Sequence, residues 1–465
     1  MSAKPNPAKR QWLLVSAAST MLFAAGCSSA RMPLETSTVG NRTVSNPTII
    51  TMNDSSGQLA TFSQMGPIPT RNPFFKKLGT NGRTCNSCHL IDQGWSITPS
   101  AVQARFDKDG GLDPIFAPVD GTNCPTDKVS TVAERAAATT LLRTKGLIRI
   151  ARPIPAGAEF NLTAVDDPYN CSVDGLSLYR RPLPTTNVAF LSDVMWDGRE
   201  SSQLSLFDGL KNQARDATTG HAEASQDPSE RQLEQIVNFE LAIFTAQSFD
   251  NAAGPLDALQ AQGGPKFLSQ QNFHIGINDF GGGANAFSPD AMTMFEPWSS
   301  LSTTDQFTAG REAIARGEVI FNTTQMFIAN VPGLNDELNT PLITGPCSTC
   351  HDSPNLGNVS VQRLMNVGTA DLFRRTSDMP LYTFSCNDGS THQVTDAGLA
   401  MSTGKCKDIA KFKAPILRGL AARAPYFHDG SAADLTQVLD FYRIRFGLNL
   451  TAQQQSDLIA FLNSL

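Results

Sequence analysis

The amino-acid sequence predicts a mainly α-helical protein with extensive coil and few short strands. Helix-start signals precede apolar stretches of helical period, whereas long runs of alternating polar and apolar residues are scarce. The 465 residues include 35 glycines and 28 prolines, which favour irregular connections. The length is enough for two or three domains with complete cores.

The N-terminus has the pattern of an export signal. Three cationic residues precede the apolar segment 12–25, which ends in small residues just before Cys27. The apolar run is too short to cross a membrane comfortably. We expect residues 1–26 to be a lipoprotein-type signal peptide and Cys27 to carry the lipid anchor. The alternative is plain secretion with cleavage nearby, and both place the protein on the periplasmic side of a bacterial membrane.

Composition and charge shape the expectations for the rest of the chain. Residues 27–65 are rich in Ser, Thr, Asn and Pro, so we expect a tether there. The formal net charge is −6, with 37 basic and 43 acidic residues. That balance gives no indication of nucleic-acid binding.

Three capping-box pairs mark predicted helix starts. The pairs are Ser229 with Gln232, Thr303 with Gln306, and Thr451 with Gln454.

The segment 249–300 lies between the two halves of the chain. It is rich in Gly, Asn and Phe and is predicted to be loop. We therefore place a domain boundary near 300, with one domain over 66–300 and the other over 301–465.

Two Cys-X-X-Cys-His motifs, at residues 85–89 and 347–351, carry the most specific chemistry. Two thiols at this spacing add to the vinyl groups of haem, and the adjacent histidine becomes an axial iron ligand. A zinc site would need paired motifs close together, and a thioredoxin-like site would need a βαβ context. We therefore predict two covalently bound haem c groups. The attachment residues are Cys85, Cys88, Cys347 and Cys350, and the iron ligands are His89 and His351.

Four further cysteines remain after the motifs and Cys27. In an oxidising compartment an even number favours disulfides, although buried free thiols are the alternative. Proximity in sequence favours the pairs Cys124–Cys171 and Cys386–Cys406.

Two more stretches, together with the paired motifs, resemble a known family. Residues 195–200 are MWDGRE, and residues 412–431 include FKAPILRGL and APYFHDGS. In this order they resemble the bacterial diheme cytochrome c peroxidase family, which includes MauG, over about residues 70–465. The resemblance implies two cytochrome-c-like haem domains. It implies a peroxide-reacting haem on the first motif and an electron-accepting haem on the second.

The resemblance also suggests residues around the first haem. Trp196 takes the place of an indole between the two haems, although a buried core tryptophan is the alternative. Gln213 and Glu223 match a Gln and a Glu that line the peroxide pocket, although both could lie on an exposed polar helix. No histidine occurs between His89 and His221, so the usual capping ligand is missing. His221 could be a distal base, a sixth ligand or a solvated side chain.

For the second haem, the resemblance points to a ligand fourteen residues beyond His428. That position is Tyr442, as in MauG, where the peroxidases have a Met. A phenolate would lower the haem potential and a thioether would raise it. We expect His428 to lie near a haem propionate. The family's calcium site is doubtful here, because Arg180 and Arg181 occupy the place of an Asn ligand and an Arg cannot coordinate calcium.

These expectations lead to three functional hypotheses. The first is a peroxidase that reduces hydrogen peroxide with electrons from a small cytochrome or cupredoxin. The second is a MauG-like oxidase of a protein or organic substrate, which Tyr442 favours. The third is a diheme electron-transfer cytochrome without an open iron. The membrane is contacted only through the lipid anchor in each case.

Overall fold

The computed structural model describes residues 48–201, 205–281, 286–302 and 304–465. The predicted signal peptide, the lipid-anchor position Cys27 and most of the predicted tether lie outside the described residues. Thr303 also lies outside them, but the helix that its capping box with Gln306 was predicted to open begins later, at Thr308, with Phe307 as its N-cap.

Ten α-helices occur in the described residues. They are α1 Pro99–Asp109, α2 Val132–Ala138, α3 Thr140–Lys145, α4 Leu206–Gly220, α5 Glu230–Leu241, α6 Pro265–Leu268, α7 Thr308–Thr323, α8 Ala400–Thr403, α9 Leu435–Phe446 and α10 Ala452–Asn463.

Eleven strands accompany them. They are β1 Thr48–Asn53, β2 Gly57–Ser63, β3 Ile148–Arg152, β4 Phe160–Asp166, β5 Leu176–Arg180, β6 Ile243–Asp250, β7 Gly254–Pro255, β8 Met326–Ala329, β9 Leu342–Gly345, β10 Leu381–Cys386 and β11 Thr391–Val394.

The prediction of a mainly α fold of two cytochrome-c-like domains with few short strands is wrong. Helical residues, 3₁₀ turns included, make up 33% of the described residues, and residues in strands and β-bridges make up 16%. The strands form several sheets. The first strand pair falls in residues 48–63, where the Ser/Thr/Asn-rich composition suggested a tether. The segment TIITMN contains four β-branched residues, and GQLATFS contains a Thr and a Phe; both residue types suit a pleated surface.

The sheets connect distant parts of the chain. One sheet has the strand order β1-β2-β6-β7, and another has the order β11-β10-β4. In the second sheet Leu381 lies opposite Asp166 and Cys386 lies opposite Phe160. Antiparallel pairing thus joins segments on either side of the boundary predicted near 300, which itself stays a prediction.

Two predicted helix starts are confirmed. The Ser229 hydroxyl accepts from the Gln232 backbone amide, and the Gln232 side-chain oxygen accepts from the Ser229 backbone amide. This pair begins α5. Thr451 and Gln454 form the same reciprocal pair at the start of α10. Each pair satisfies amide groups that the first turn of a helix leaves unbonded.

Both cysteine motifs lie at the edge of hydrophobic cores. Cys85 packs against the cluster of Phe74, Trp95 and Phe239. Cys347 packs against a larger cluster to which α7, α9 and α10 contribute. Within the described residues, no helix is long and apolar enough to cross a membrane.

A glycine lies where α7 contacts α10 in that larger cluster. A Cβ at Gly317 in α7 would lie 2.1 Å from the Asp457 carbonyl oxygen in α10. The absent side chain therefore allows α7 and α10 to approach closely, and both helices line the core beside the second motif.

Candidate functional site

The first motif is a short 3₁₀ turn that aims its histidine into a cavity. The turn spans Cys85–Ser87, and the His89 amide donates to the Cys85 carbonyl at 3.1 Å. Nδ1 of His89 donates to the Trp95 carbonyl at 3.0 Å, which leaves Nε2 free to bind a metal. Burial lowers the pKa of His89 to about 4, so the ring is neutral, as an iron ligand must be.

The second motif repeats this geometry. Its 3₁₀ turn spans Cys347–Thr349, and the His351 amide donates to the Cys347 carbonyl at 3.0 Å. Nδ1 of His351 donates to the Gly357 carbonyl at 2.7 Å. Burial lowers the pKa of His351 as well. Each motif thus presents two cysteines and one oriented, neutral imidazole nitrogen.

Each motif lines its own large, mainly apolar cavity. We call them the first cavity and the second cavity. The first is lined by Cys85, Cys88 and His89 together with residues of α4 and α5, such as Gln213 and Glu240. The second is lined by residues from around the second motif, α9 and α10, including Cys347, Cys350, His351, Leu439, Tyr442 and Leu462.

Trp196 lies in the wall that the two cavities share. Its side chain borders both cavities. The indole Nε1 donates to the Arg181 carbonyl at 2.8 Å, and the Lys413 amide donates to the Trp196 carbonyl at 2.9 Å. The tryptophan is therefore held from both sides in a fixed position. The structure places it where the sequence resemblance expects an indole, and its role as a relay stays a prediction.

Four buried cations also face the cavities without forming an ion pair within the described residues. Their charged groups donate to carbonyl oxygens instead, as when Lys413 Nζ bonds the Asp193 carbonyl at 3.0 Å. Burial lowers the pKa of Lys413 to about 8 and that of Arg418 to about 9. Nε and Nη1 of Arg418 are buried with no partner. The four cations are Arg181, Lys413, Arg418 and Arg423.

These cations provide a test of whether the cavities suit haem. Buried charges are costly unless they are paired. Each haem carries two propionates, so two haems would supply four carboxylates to four unpaired cations. The apolar linings suit the porphyrin faces, and each motif supplies the thiols and an imidazole. The residues present therefore fit one haem c group in each cavity.

The structure brings some of the predicted peroxide-side residues to the first cavity. Gln213 on α4 lines it, and so does His221, which directly follows α4. Glu223 does not. Helix α4 ends at Gly220 and the chain then turns, with Glu223 in the left-handed region at φ 53°. Its carboxylate accepts from Asn81 Nδ2 at 3.0 Å on the surface.

Sequence reasoning missed two residues beside His221. Asp120 accepts from His221 Nδ1 and from Arg83. Burial would raise the pKa of Asp120, but its interactions with the neighbouring His221 and Arg83 side chains lower it below its usual value. Asp120 lies 101 positions from His221 in a segment without a motif, so the sequence offers no signal for this pair.

A third residue that sequence reasoning missed is Glu240 on α5. Its side chain lines the first cavity, and one carboxyl oxygen is buried without a partner. Burial raises the pKa of Glu240 to about 8. The capping box predicts helix α5, but the sequence does not predict that Glu240 lies on the face toward the cavity, because that depends on how α5 packs.

The second cavity holds Tyr442 and His428. Tyr442 on α9 shares this cavity with His351, and burial raises the pKa of its phenol well above the usual value. His428 is almost fully buried and stacks on Phe412 with ring centroids 4.3 Å apart. Its Nε2 has no partner among the described residues. Ligation by Tyr442 and a propionate contact of His428 both stay predictions.

Arg180 occupies the position where the sequence resemblance would place a calcium ligand. Its guanidinium bonds Asp197 and Asp396, each at 2.6 Å, and all three groups are buried. The carboxylates of Asp197 and Asp396 thus already neutralise an internal cation. This donor set does not fit calcium, because an Arg supplies no oxygen ligand.

The two predicted cysteine pairs are close in space. Cα atoms lie 5.5 Å apart for Cys124 and Cys171 and 6.0 Å apart for Cys386 and Cys406, and both spacings suit a disulfide. His392 lies beside the second pair, and one ligand atom from each of the three residues falls within 4.8 Å of the others. Disulfide formation there would leave no thiolate for a metal.

Comparison with known proteins finds similarity to cytochrome-c peroxidases. The chain is 32% identical over 139 residues to the cytochrome-c peroxidase IdrP1 of Denitromonas iodatirespirans, covering 26% of this chain and 36% of that protein. It is 31% identical over 120 residues to the cytochrome c551 peroxidase of Nitrosomonas europaea, covering 26% of this chain and 30% of that protein.

The matched segments therefore span about a third of the curated relatives' length. A solved MauG-like protein associated with microbial copper homeostasis aligns with 85% of this chain and 86% of its own, at 16% identity and a TM-score of 0.40. No protein-family model matches. The peroxidase relatives confirm the resemblance to cytochrome c peroxidases that the sequence predicts.

Proposed function

We propose that this protein is a diheme c-type oxidoreductase that reduces hydrogen peroxide with electrons from an external donor. One observation supports the proposal most strongly. Two cavities, each lined by a Cys-X-X-Cys-His motif, share a wall that contains Trp196, and among the described lining residues only those of the first cavity include carboxyl groups. Side chains that can transfer protons therefore line the first cavity, and the neighbouring second cavity suits a haem that stores electrons.

In the first cavity, the chain's residues would bind and orient peroxide. The haem supplies an iron site for the peroxide and the electrons that reduce it. Gln213 can orient a bound peroxide by hydrogen bonding. Leu210, Ala214 and Ile236 line the same cavity and limit the water near it.

In the second cavity, the residues would protect a haem that receives electrons. Its lining is mainly apolar and includes no carboxylate among the described residues. Trp196 lies in the wall toward the first cavity. The donor we propose is a small reduced cytochrome or cupredoxin.

The proposal also includes the cellular location of the protein and its disulfides. We place the protein on the periplasmic side of a bacterial membrane, anchored through a lipid on Cys27, with disulfides at Cys124–Cys171 and Cys386–Cys406. A non-reducing peptide digest of the exported protein should contain both linked pairs. Alkylation of all four thiols in that protein would contradict the disulfides.

The function is tested with the holoprotein and reduced cytochrome c as the probe donor. Each hydrogen peroxide consumed should oxidise two molecules of the donor. Protein with both haems loaded that transfers electrons but consumes no peroxide would be an electron-transfer cytochrome, and the proposal would fail.

Tyr442 favours a second candidate, a MauG-like oxidase of a protein or organic substrate. The tyrosine lies in the second cavity with His351, at the position where MauG has its tyrosine. A phenolate ligand lowers the haem potential, which disfavours accepting electrons from a mild donor. Peroxide consumption without oxidation of cytochrome c would support this candidate over the first.

A further inference from the structure

The segment that closes the first cavity after α4 is built to hold His221 in one orientation. The His221 carbonyl accepts from Arg83 Nη1 at 3.0 Å and from Asn81 Nδ2 at 2.8 Å. The His221 amide donates to the Ala217 carbonyl at 2.9 Å. Three backbone bonds therefore fix the residue's position, although it lies beyond the end of the helix.

The imidazole is fixed as firmly as the backbone. Nδ1 bonds the Asp120 carboxylate, and the other oxygen of Asp120 bonds Arg83. Because a carboxylate only accepts hydrogen bonds, the proton of a neutral His221 lies on Nδ1 and the lone pair on Nε2. This carboxylate–imidazole arrangement orients a general base toward a reacting group.

The side chains of Asp120, Arg83 and His221 differ in how much of each is exposed to solvent. The side chains of Asp120 and Arg83 are each 5% exposed, whereas that of His221 is 35% exposed. His221 also lines the first cavity, which contains His89 and Gln213. The positioning groups are therefore closed off, and the ring they hold remains open to the cavity. Among the described residues, no side chain or backbone group bonds its Nε2.

Glu223 does not fill this role in the structure. Its carboxylate lies on the surface and bonds Asn81, and it does not line the cavity. Glu240 does line the cavity, but it carries no positioning partner on its free oxygen. His221 alone among these three groups is both open to the cavity and oriented by a buried carboxylate.

We propose that His221 is the residue that moves the proton of hydrogen peroxide in the first cavity, with Asp120 and Arg83 as its positioning residues. The inference rests on the proposed peroxide reduction. Nε2 takes the proton from the peroxide oxygen that stays at the haem and returns it to the oxygen that leaves. The O–O bond breaks, and the leaving oxygen departs as water with both protons of the peroxide.

The remaining atoms and electrons balance. The second oxygen leaves as water after it gains two protons from solvent and two electrons from the external donor. Peroxide, two electrons and two protons thus yield two waters. His221 ends each cycle in the state in which it began.

The test uses the holoprotein and its variants His221→Ala, Asp120→Asn and His274→Ala, with circular dichroism as the folding check. His274 is exposed and lines neither cavity, so it is the matched control. The rate of reaction of oxidised protein with peroxide should fall about 10²–10⁴-fold in His221→Ala, the usual scale for acid–base groups, and less in Asp120→Asn. Added imidazole should restore part of the His221→Ala rate.

Cyanide binding gives a readout that does not depend on turnover. Hydrogen cyanide must lose its proton to bind iron, so its association rate in stopped-flow absorbance should fall in His221→Ala and not in His274→Ala. A wild type that ignores peroxide overturns the proposed function. Two outcomes overturn this inference alone, provided that the wild type consumes peroxide. In one, His221→Ala keeps the wild-type rate; in the other, the rate falls in Glu223→Gln and not in His221→Ala. A low-spin wild type that becomes high-spin in His221→Ala would make His221 an iron ligand and also overturn it.

Discussion

The two cavities have the same attachment geometry but different linings. Both receive a cysteine pair and a histidine whose Nδ1 is occupied by a carbonyl. The first cavity adds Asp120, Glu240 and His221, whereas the second has no carboxylate among its described lining residues. Under the proposed function, both cavities would hold a haem in the same way and proton transfer would be confined to the first.

Removing either cysteine pair should produce the largest effect. Cys85→Ala with Cys88→Ala should remove one covalent haem per chain, because both thioether bonds are lost, and should abolish the reaction of oxidised protein with peroxide. Cys347→Ala with Cys350→Ala should also remove one haem but leave that reaction in place. Haem-stained denaturing gels and stopped-flow absorbance measure the two outcomes. Equal loss of the peroxide reaction in both variants would remove the distinction between the cavities.

Removing a shared cation should lower the reduction potentials. Lys413 lines both cavities and Arg418 only the first. A buried positive charge favours the reduced haem, so Lys413→Met should lower both potentials, by about 60 mV, the equivalent of a tenfold change for one electron. Arg418→Met should affect the first haem alone. Spectroelectrochemistry measures both, with the exposed Lys266→Met as the control. Unchanged potentials would refute the pairing of these cations with propionates.

Tyr442 offers a test confined to the second cavity. Replacing a phenolate ligand removes a group that favours ferric iron, so Tyr442→Phe should raise the potential of the second haem and leave peroxide access unchanged. Tyr426→Phe is the matched control, because Tyr426 lines the same cavity and its hydroxyl already donates to the Leu420 carbonyl at 2.9 Å. The same potential shift in both variants would argue against ligation by Tyr442.

Glu240 should give the smallest effect, a change in the pH dependence of stability. Burial raises its pKa from 4.5 to about 8. The folded protein therefore binds this proton more tightly than the unfolded chain, so the associated stability is complete below about pH 4.5 and is lost as the pH rises through 8. Thermal unfolding of the holoprotein should weaken less over this range in Glu240→Gln than in the wild type. Parallel pH profiles for the two proteins would contradict the raised pKa.

Local signals in the sequence predicted the parts of the site that depend on short spacing. The two Cys-X-X-Cys-His motifs and the helix starts at Ser229 and Thr451 all depend on neighbouring residues, whereas the position of Trp196 was taken from the family resemblance. Capping boxes are satisfied within four residues, so tertiary packing has little opportunity to override them.

The rest depends on contacts between distant residues. The pairing of Asp120 with His221 needs two segments 101 positions apart, and no spacing rule predicts it. Glu223 was placed by its distance from Gln213, but α4 ends at Gly220 and the following turn carries Glu223 to the surface. The strands within 48–63 were missed because Ser and Thr suggested a tether, whereas Thr also suits a half-buried strand.

The most direct test of the division between the cavities is the reaction of fully oxidised holoprotein with hydrogen peroxide, followed by stopped-flow absorbance and resonance Raman. One high-spin haem per chain should react without prior reduction, and its high-spin signal should be lost when Cys85 and Cys88 are replaced by Ala. An oxidised protein that is entirely low-spin and inert to peroxide would contradict this prediction.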